Sequence, residues 1–122
     1  MKNIFNDLKT DTDGLLPAIV QDDKTGQVLM LGYMNRESLE ITLARKLACF
    51  WSRSRKGLWL KGETSGHTLA VSEVRIDCDQ DAILLRCRPA GPTCHTLETS
   101  CFYRTVAPDG ALALAGDGVA KE

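Results

Sequence analysis

Short apolar runs broken by turn residues, with a single stretch at helical spacing, limit how this chain can fold. Residues 15–20 read as a strand, and Pro17 confines it to an edge or a strand start because proline brings no ladder N–H. Asp22-Asp23-Lys24-Thr25-Gly26 is turn chemistry, and residues 27–33 resume as a strand, which predicts a hairpin. Asn35 is a good N-cap, and Leu39, Leu43 and Leu47 recur at i, i+4 and i+8, predicting a helix of about three turns with a leucine face. Residues 48–53 and 58–60 flank a polar turn and predict a second hairpin. Leu69, Val71, Val74 and Ile76 belong to an extended segment whose alternation breaks at Ser72-Glu73, where a bulge fits. Residues 82–88 form one more strand. Together they predict an α+β chain with a bent or barrel-like, mostly antiparallel sheet and one main helix.

A chain of 122 residues fits one domain, 1–122, with a lead over 1–14 and an Ala/Gly-rich tail over 107–122 expected to be flexible. Lys and Arg total 15 against 16 Asp and Glu, so a bulk electrostatic nucleic-acid binder is disfavoured, though a local basic patch remains open. No run reaches the roughly 18 apolar residues of a membrane span, and the first 14 residues carry no hydrophobic signal core. The expected location is cytoplasmic. In that reducing setting, five cysteines call for metal ligation, catalysis or burial rather than disulfides.

Three constellations can carry chemistry. Asp77-Cys78-Asp79-Gln80-Asp81 stacks like charges at alternate positions, which suits either a cation or an acidic hairpin turn in water. Fully extended, alternate residues stand about 6.6 Å apart, too wide for all three to bind one Mg²⁺ directly, so the segment must bend or act through water. An EF-hand would need Gly and Glu where Ala82 and Arg88 stand. Cys78, Cys94 and Cys101 offer three soft ligands, the number an open zinc site uses, where zinc brings the pKa of a bound water to about 7. Free cysteines are also common as small buried hydrophobes, which suits Cys49 and Cys87 better than Cys94 and Cys101 in their polar loops. The nucleoside-deaminase pattern H-x-E with P-C-x-x-C is missing at His67, His95 and Pro92. Finally, Arg53, Arg55 and Lys61 lie among Ser, Thr and Gly that suit phosphate groups, or a solvated charged turn. His67 and His95 fall in neighbouring polar loops, and His95, beside Cys94, has the stronger case for proton transfer.

Taken together, Phe50-Trp51-Ser52-Arg53-Ser54-Arg55, Lys61-Gly62-Glu63-Thr64-Ser65-Gly66-His67, Asp77-Cys78-Asp79-Gln80-Asp81, Cys94-His95-Thr96 and Ser100-Cys101-Phe102-Tyr103-Arg104 resemble the phosphoribosyl-AMP cyclohydrolase family of histidine biosynthesis. The resemblance runs from about residue 15 to residue 104. It implies hydrolytic opening of the adenine ring of a phosphoribosylated nucleotide between N1 and C6, in an intertwined homodimer with zinc sites shared between chains. It also implies Cys78, Cys94 and Cys101 as zinc ligands and Asp77, Asp79 and Asp81 as magnesium ligands. Zinc-bound hydroxide would attack C6, with His95 or His67 moving the proton and Arg53, Arg55 and Lys61 meeting phosphate. If alternate residues of 77–81 face opposite ways, Cys78 turns to zinc and the aspartates to the second ion.

The pattern departs at Leu60, at Leu69 and over Thr96-Leu97-Glu98-Thr99, where glycine and basic residues are usual. The metal sets are intact, and the expected form is the stand-alone enzyme rather than a fusion with a second catalytic domain. A structural-zinc module binding nucleic acid or protein is the alternative. It would want a fourth zinc ligand and strongly salt-dependent binding.

Overall fold

The computed structural model describes residues 4–115. Its centre is a four-stranded sheet built from β1 (Leu16–Asp22), β2 (Val28–Met34), β5 (Leu69–Ile76) and β6 (Ile83–Pro89), in the order β2-β1-β6-β5. The predicted hairpin joins β1 to β2, and β5 pairs antiparallel with β6. One pairing is parallel: β1 runs alongside β6, with Ala18 opposite Ile83. β1 is therefore an inner strand, and Pro17 is tolerated at its start because the β6 ladder begins one residue later, at Ala18. The sheet stays open among the described residues; none of the sheets closes into a barrel.

Alternation decides the two faces. Leu16, Ala18 and Val20 of β1 and Ile83, Leu85 and Cys87 of β6 point inward and are buried. Helix α1 (Arg36–Arg45) and a separate hairpin of β3 (Cys49–Ser52) and β4 (Gly57–Leu60) complete the fold around that core. The hairpin approaches β2 closely because position 32 is glycine: a Cβ there would sit 2.7 Å from the Phe50 ring. Register slips in the β5–β6 ladder between Val71 and Glu73, leaving Ser72 at the predicted bulge.

Asn35 caps α1 through a reciprocal box, its side chain accepting from the Ser38 N–H while the Ser38 hydroxyl accepts from the Asn35 N–H. The buried face corrects the leucine stripe. Ser38, Leu39 and Thr42 are inside, Leu43 is 44% exposed, and Leu47 lies beyond the helix in a bridge to Ala70. Hydroxyls take the inner positions because they bond there. The Thr42 hydroxyl donates to Ser38 C=O and accepts the Cys49 N–H, fastening the helix to β3.

The two ends hold more structure than the sequence foretells. Residues Ile4–Asn6 form a 3₁₀ turn, and the Asp11 carboxylate accepts the N–H groups of Asp13 and Leu15. Within the expected tail, β8 (Leu112–Leu114) pairs with β7 (Arg104–Val106). The remainder of the lead and tail expectation, residues 1–3 and 116–122, lies outside the described residues.

Candidate active-site cleft

Two loops enclose a cleft of ≈ 340 Å³ that gathers Arg55, Trp59, Lys61, His67, Cys94 and His95. The first loop follows β4 and carries the Lys61–His67 motif. It turns on Gly62, whose φ of +83° is costly for any residue with a Cβ. The Gly66 N–H returns to Gly62 C=O at 2.7 Å, and the His67 N–H bonds to the Ser65 hydroxyl. Gly91 then lies flat against the His67 ring, since a Cβ there would approach its Cδ2 to 2.7 Å. Trp59 packs on Phe50 with ring centroids 5.6 Å apart, and the Lys61 ammonium lies 5.8 Å from the Trp59 ring centre.

The second loop is a small hairpin within residues 93–99. Thr93 N–H donates to Thr99 C=O, Cys94 N–H to Glu98 C=O and Leu97 N–H to Cys94 C=O, which leaves His95, Thr96 and Leu97 as the loop residues. Cys101 is set by β2. A bulge there skips Leu29 in the β1 ladder, and the freed Leu29 carbonyl accepts the Cys101 N–H at 2.7 Å. The Ser100 hydroxyl donates to Val28 C=O and accepts the Phe102 N–H, holding the same segment.

These two anchors bring the Cys94 and Cys101 thiols near enough for each to shift the other's ionisation. Burial pushes the Cys94 thiol up. The Thr96 hydroxyl at 3.0 Å, the Thr96 backbone, the Cys101 thiol and the Lys61 charge outweigh it, so Cys94 ends below its ordinary value. Cys101 goes the other way, to about 11, because partial desolvation of its sulfur, on a residue otherwise exposed, and the Cys94 charge both oppose ionisation. Two neighbouring sulfurs, ionisation eased at Cys94 and opposed at Cys101, form a donor pair that suits a soft cation such as zinc. Zinc takes three or four protein ligands. Among the described residues of one chain, no three His, Cys, Asp or Glu side chains form such a group. Cys78 does not line the cleft.

Cys78 sits on the turn from β5 to β6. That turn confirms the bend demanded by the acidic segment, and Gln80 turns it with a φ of +65°. The Asp77 carboxylate accepts the N–H groups of Asp81 and Ala82. The expected division of faces does not hold, because a turn lacks strand alternation: the Cys78 thiol lies 3.4 Å from the Asp79 carboxylate. The Asp81 N–H and side chain, with the neighbouring N–H groups, hold Asp77 below its usual value, whereas contact with Asp77 raises Asp81. Two carboxylates this close compete for one proton, and a cation would relieve that competition.

Of the three predicted phosphate contacts, Arg55 and Lys61 line the cleft. Arg53 does not; its guanidinium stacks on Tyr33 at 3.9 Å and borders a separate hollow with Lys56. Sequence reasoning missed the Thr96 hydroxyl on Cys94, the Glu63 carboxylate in the cleft wall and the left-handed Leu97. Glu63 was within reach as the one acid of the Lys61–His67 motif, whereas Thr96, although part of the Cys94-His95-Thr96 motif, carried no sign that its hydroxyl meets the Cys94 sulfur.

An open α+β sheet with a polar cleft, edged by cations and holding two imidazoles and a thiol, belongs with enzymes that act on small anionic molecules. Comparison with known sequences narrows the class. The family model for phosphoribosyl-AMP cyclohydrolase matches residues 30–103. The chain belongs to that family. It is 53% identical over 113 residues to the phosphoribosyl-AMP cyclohydrolase of Chlorobium phaeovibrioides, covering 93% of this chain and 82% of the relative. Identity to the enzyme of Rhizorhabdus wittichii is 58% over 104 residues, covering 85% and 84%. Identity to the Pseudomonas fluorescens enzyme is 55% over 105 residues, covering 85% and 79%. Among the described residues, no helix is long and apolar enough to cross a membrane.

Proposed function

We propose that this chain hydrolyses phosphoribosyl-AMP in histidine biosynthesis, opening the adenine ring between N1 and C6. The water oxygen becomes the carboxamide oxygen at C6, the N1–C6 bond breaks, and a proton passes to N1. The observation that carries this reading is the convergence of Lys61, His67, Cys94 and His95 on one cleft in a chain of this family. Arg55 and Lys61 give that cleft its cationic side, suited to a phosphate of the substrate. Arg53, in its own hollow, is proposed for the substrate's other phosphate. His95 stands at the tip of the thiol-bearing loop, open to solvent, and is assigned the proton transfer to N1; His67, fixed by Gly91, is the second imidazole in reach.

Cys94 and Cys101 are the proposed zinc ligands on one chain, completed by Cys78 from a second copy in a homodimer. Bound there, zinc would supply an acidified water at neutral pH and polarise the ring carbon under attack. Two features support a second copy. One chain offers an incomplete sulfur set. Beside the Cys78 turn, the outer sheet face also exposes an apolar hollow lined by Ile19, Ala82 and Leu84, with Leu31 opposite Ile19. Asp77, Asp79 and Asp81 are proposed to hold Mg²⁺, neutralising a turn whose carboxylates otherwise crowd one another.

Metal analysis of the purified protein, paired with an ultraviolet assay of ring opening, tests this reading. Cys94→Ala and Cys101→Ala lose zinc and turnover together, while Cys49→Ala retains both. Full turnover by a zinc-free Cys101→Ala protein would overturn the assignment.

A further inference from the structure

Leu97 occupies a backbone position that favours glycine. It closes the three-residue loop of the 93–99 hairpin with a φ of +74°, the left-handed step that normally falls to a residue without a Cβ. Its side chain is 58% exposed, so no core packing repays the strain. That side chain lines the cleft, whose other large apolar wall is the Trp59 ring fixed against Phe50.

The geometry points to Leu97 as a specificity-determining residue that, with Trp59, forms an apolar slot for the planar base of the substrate. The inference rests on reading the cleft as the phosphoribosyl-AMP site. A leucine in a strained, half-open position contributes nothing to folding that glycine would not supply more easily. Against a flat heteroaromatic ring it offers a branched apolar surface to bury, which a glycine cannot. The cations of the cleft take the phosphate, and the slot reads the ring.

Tryptophan fluorescence titration of the full-length protein with AMP, and with ribose 5-phosphate as a ring-free probe, tests this. Leu97→Gly and Leu97→Ala are expected to weaken AMP binding about five- to tenfold, the effect of losing most of one buried aliphatic side chain. Ribose 5-phosphate binding is expected to stay unchanged, and Leu97→Met to restore AMP affinity. Only Leu97→Gly relieves the backbone, raising the melting temperature by roughly 3 °C. Unchanged AMP affinity in Leu97→Gly, an equal loss for both probes, or no response of the native protein to AMP would each overturn the inference. The functional reading fails separately: a native protein that binds AMP and shows the Leu97 effect, yet leaves phosphoribosyl-AMP intact, refutes the activity and upholds the slot.

Discussion

A methyl group at position 62 would lie 2.4 Å from the His67 carbonyl carbon and 2.5 Å from the Thr68 nitrogen. Both are backbone atoms of the loop that carries His67, so they cannot swing aside as a flexible side chain would. Gly62→Ala is expected to lose roughly 2–4 kcal/mol, combining left-handed strain with the clash, and to lower turnover by moving His67. Urea midpoints and the ring-opening assay on the same preparation check this. Cys87 makes a prediction of opposite character, because it lies in the core rather than at the cleft. Burial, with Asp23 nearby, pushes its thiol up to about 12 from 9.0. Above pH 9 the unfolded chain ionises this group first. Its contribution to stability is therefore complete below pH 9 and is lost as pH rises toward 12, by about 1.4 kcal/mol per pH unit. Urea midpoints from pH 8 to 11 should fall more steeply for the native protein than for Cys87→Val.

At the scale of elements, features written into neighbouring residues were legible in the sequence. The Asn35 cap is one, and Asn35→Ala is expected to cost about 1 kcal/mol by orphaning the Ser38 N–H, measurable by urea unfolding. Both hairpin tips, the Ser72 bulge and the bend over 77–82 were legible for the same reason. Turn chemistry and a break in alternation act over a few residues. The parallel seam between β1 and β6 was not legible, because nothing in Ala18 or Ile83 names its distant partner. The helix face was misread because hydrophobicity alone ranks Leu43 above Thr42, and hydrogen bonding reversed that order. At the cleft, residue types carried the chemistry: Lys61, His67, Cys94 and His95 were all singled out. Which of Arg53 and Arg55 faces the cleft depended on how the chain leaves β3, where Tyr33 captures Arg53.

For the whole molecule, the proposal that a second copy lends its Cys78 to the sulfur pair has a direct test. Subunit complementation provides it without a further structure. Neither Cys78→Ser nor Cys94→Ser should turn over substrate alone. Unfolded together and refolded, half the dimers would be mixed, each with one intact site, and activity should recover to roughly a quarter of native. A site assembled within a single chain would recover nothing.

The seam between β1 and β6 also sets an order of events during synthesis. The first strand can meet β2 as soon as their hairpin emerges, but its other edge must wait until Ile83 has left the ribosome. For that interval the nascent chain presents an unpaired backbone edge, open to strand addition by any neighbour. Half-made copies of this protein should therefore lean on chaperones more heavily than its modest size alone would suggest.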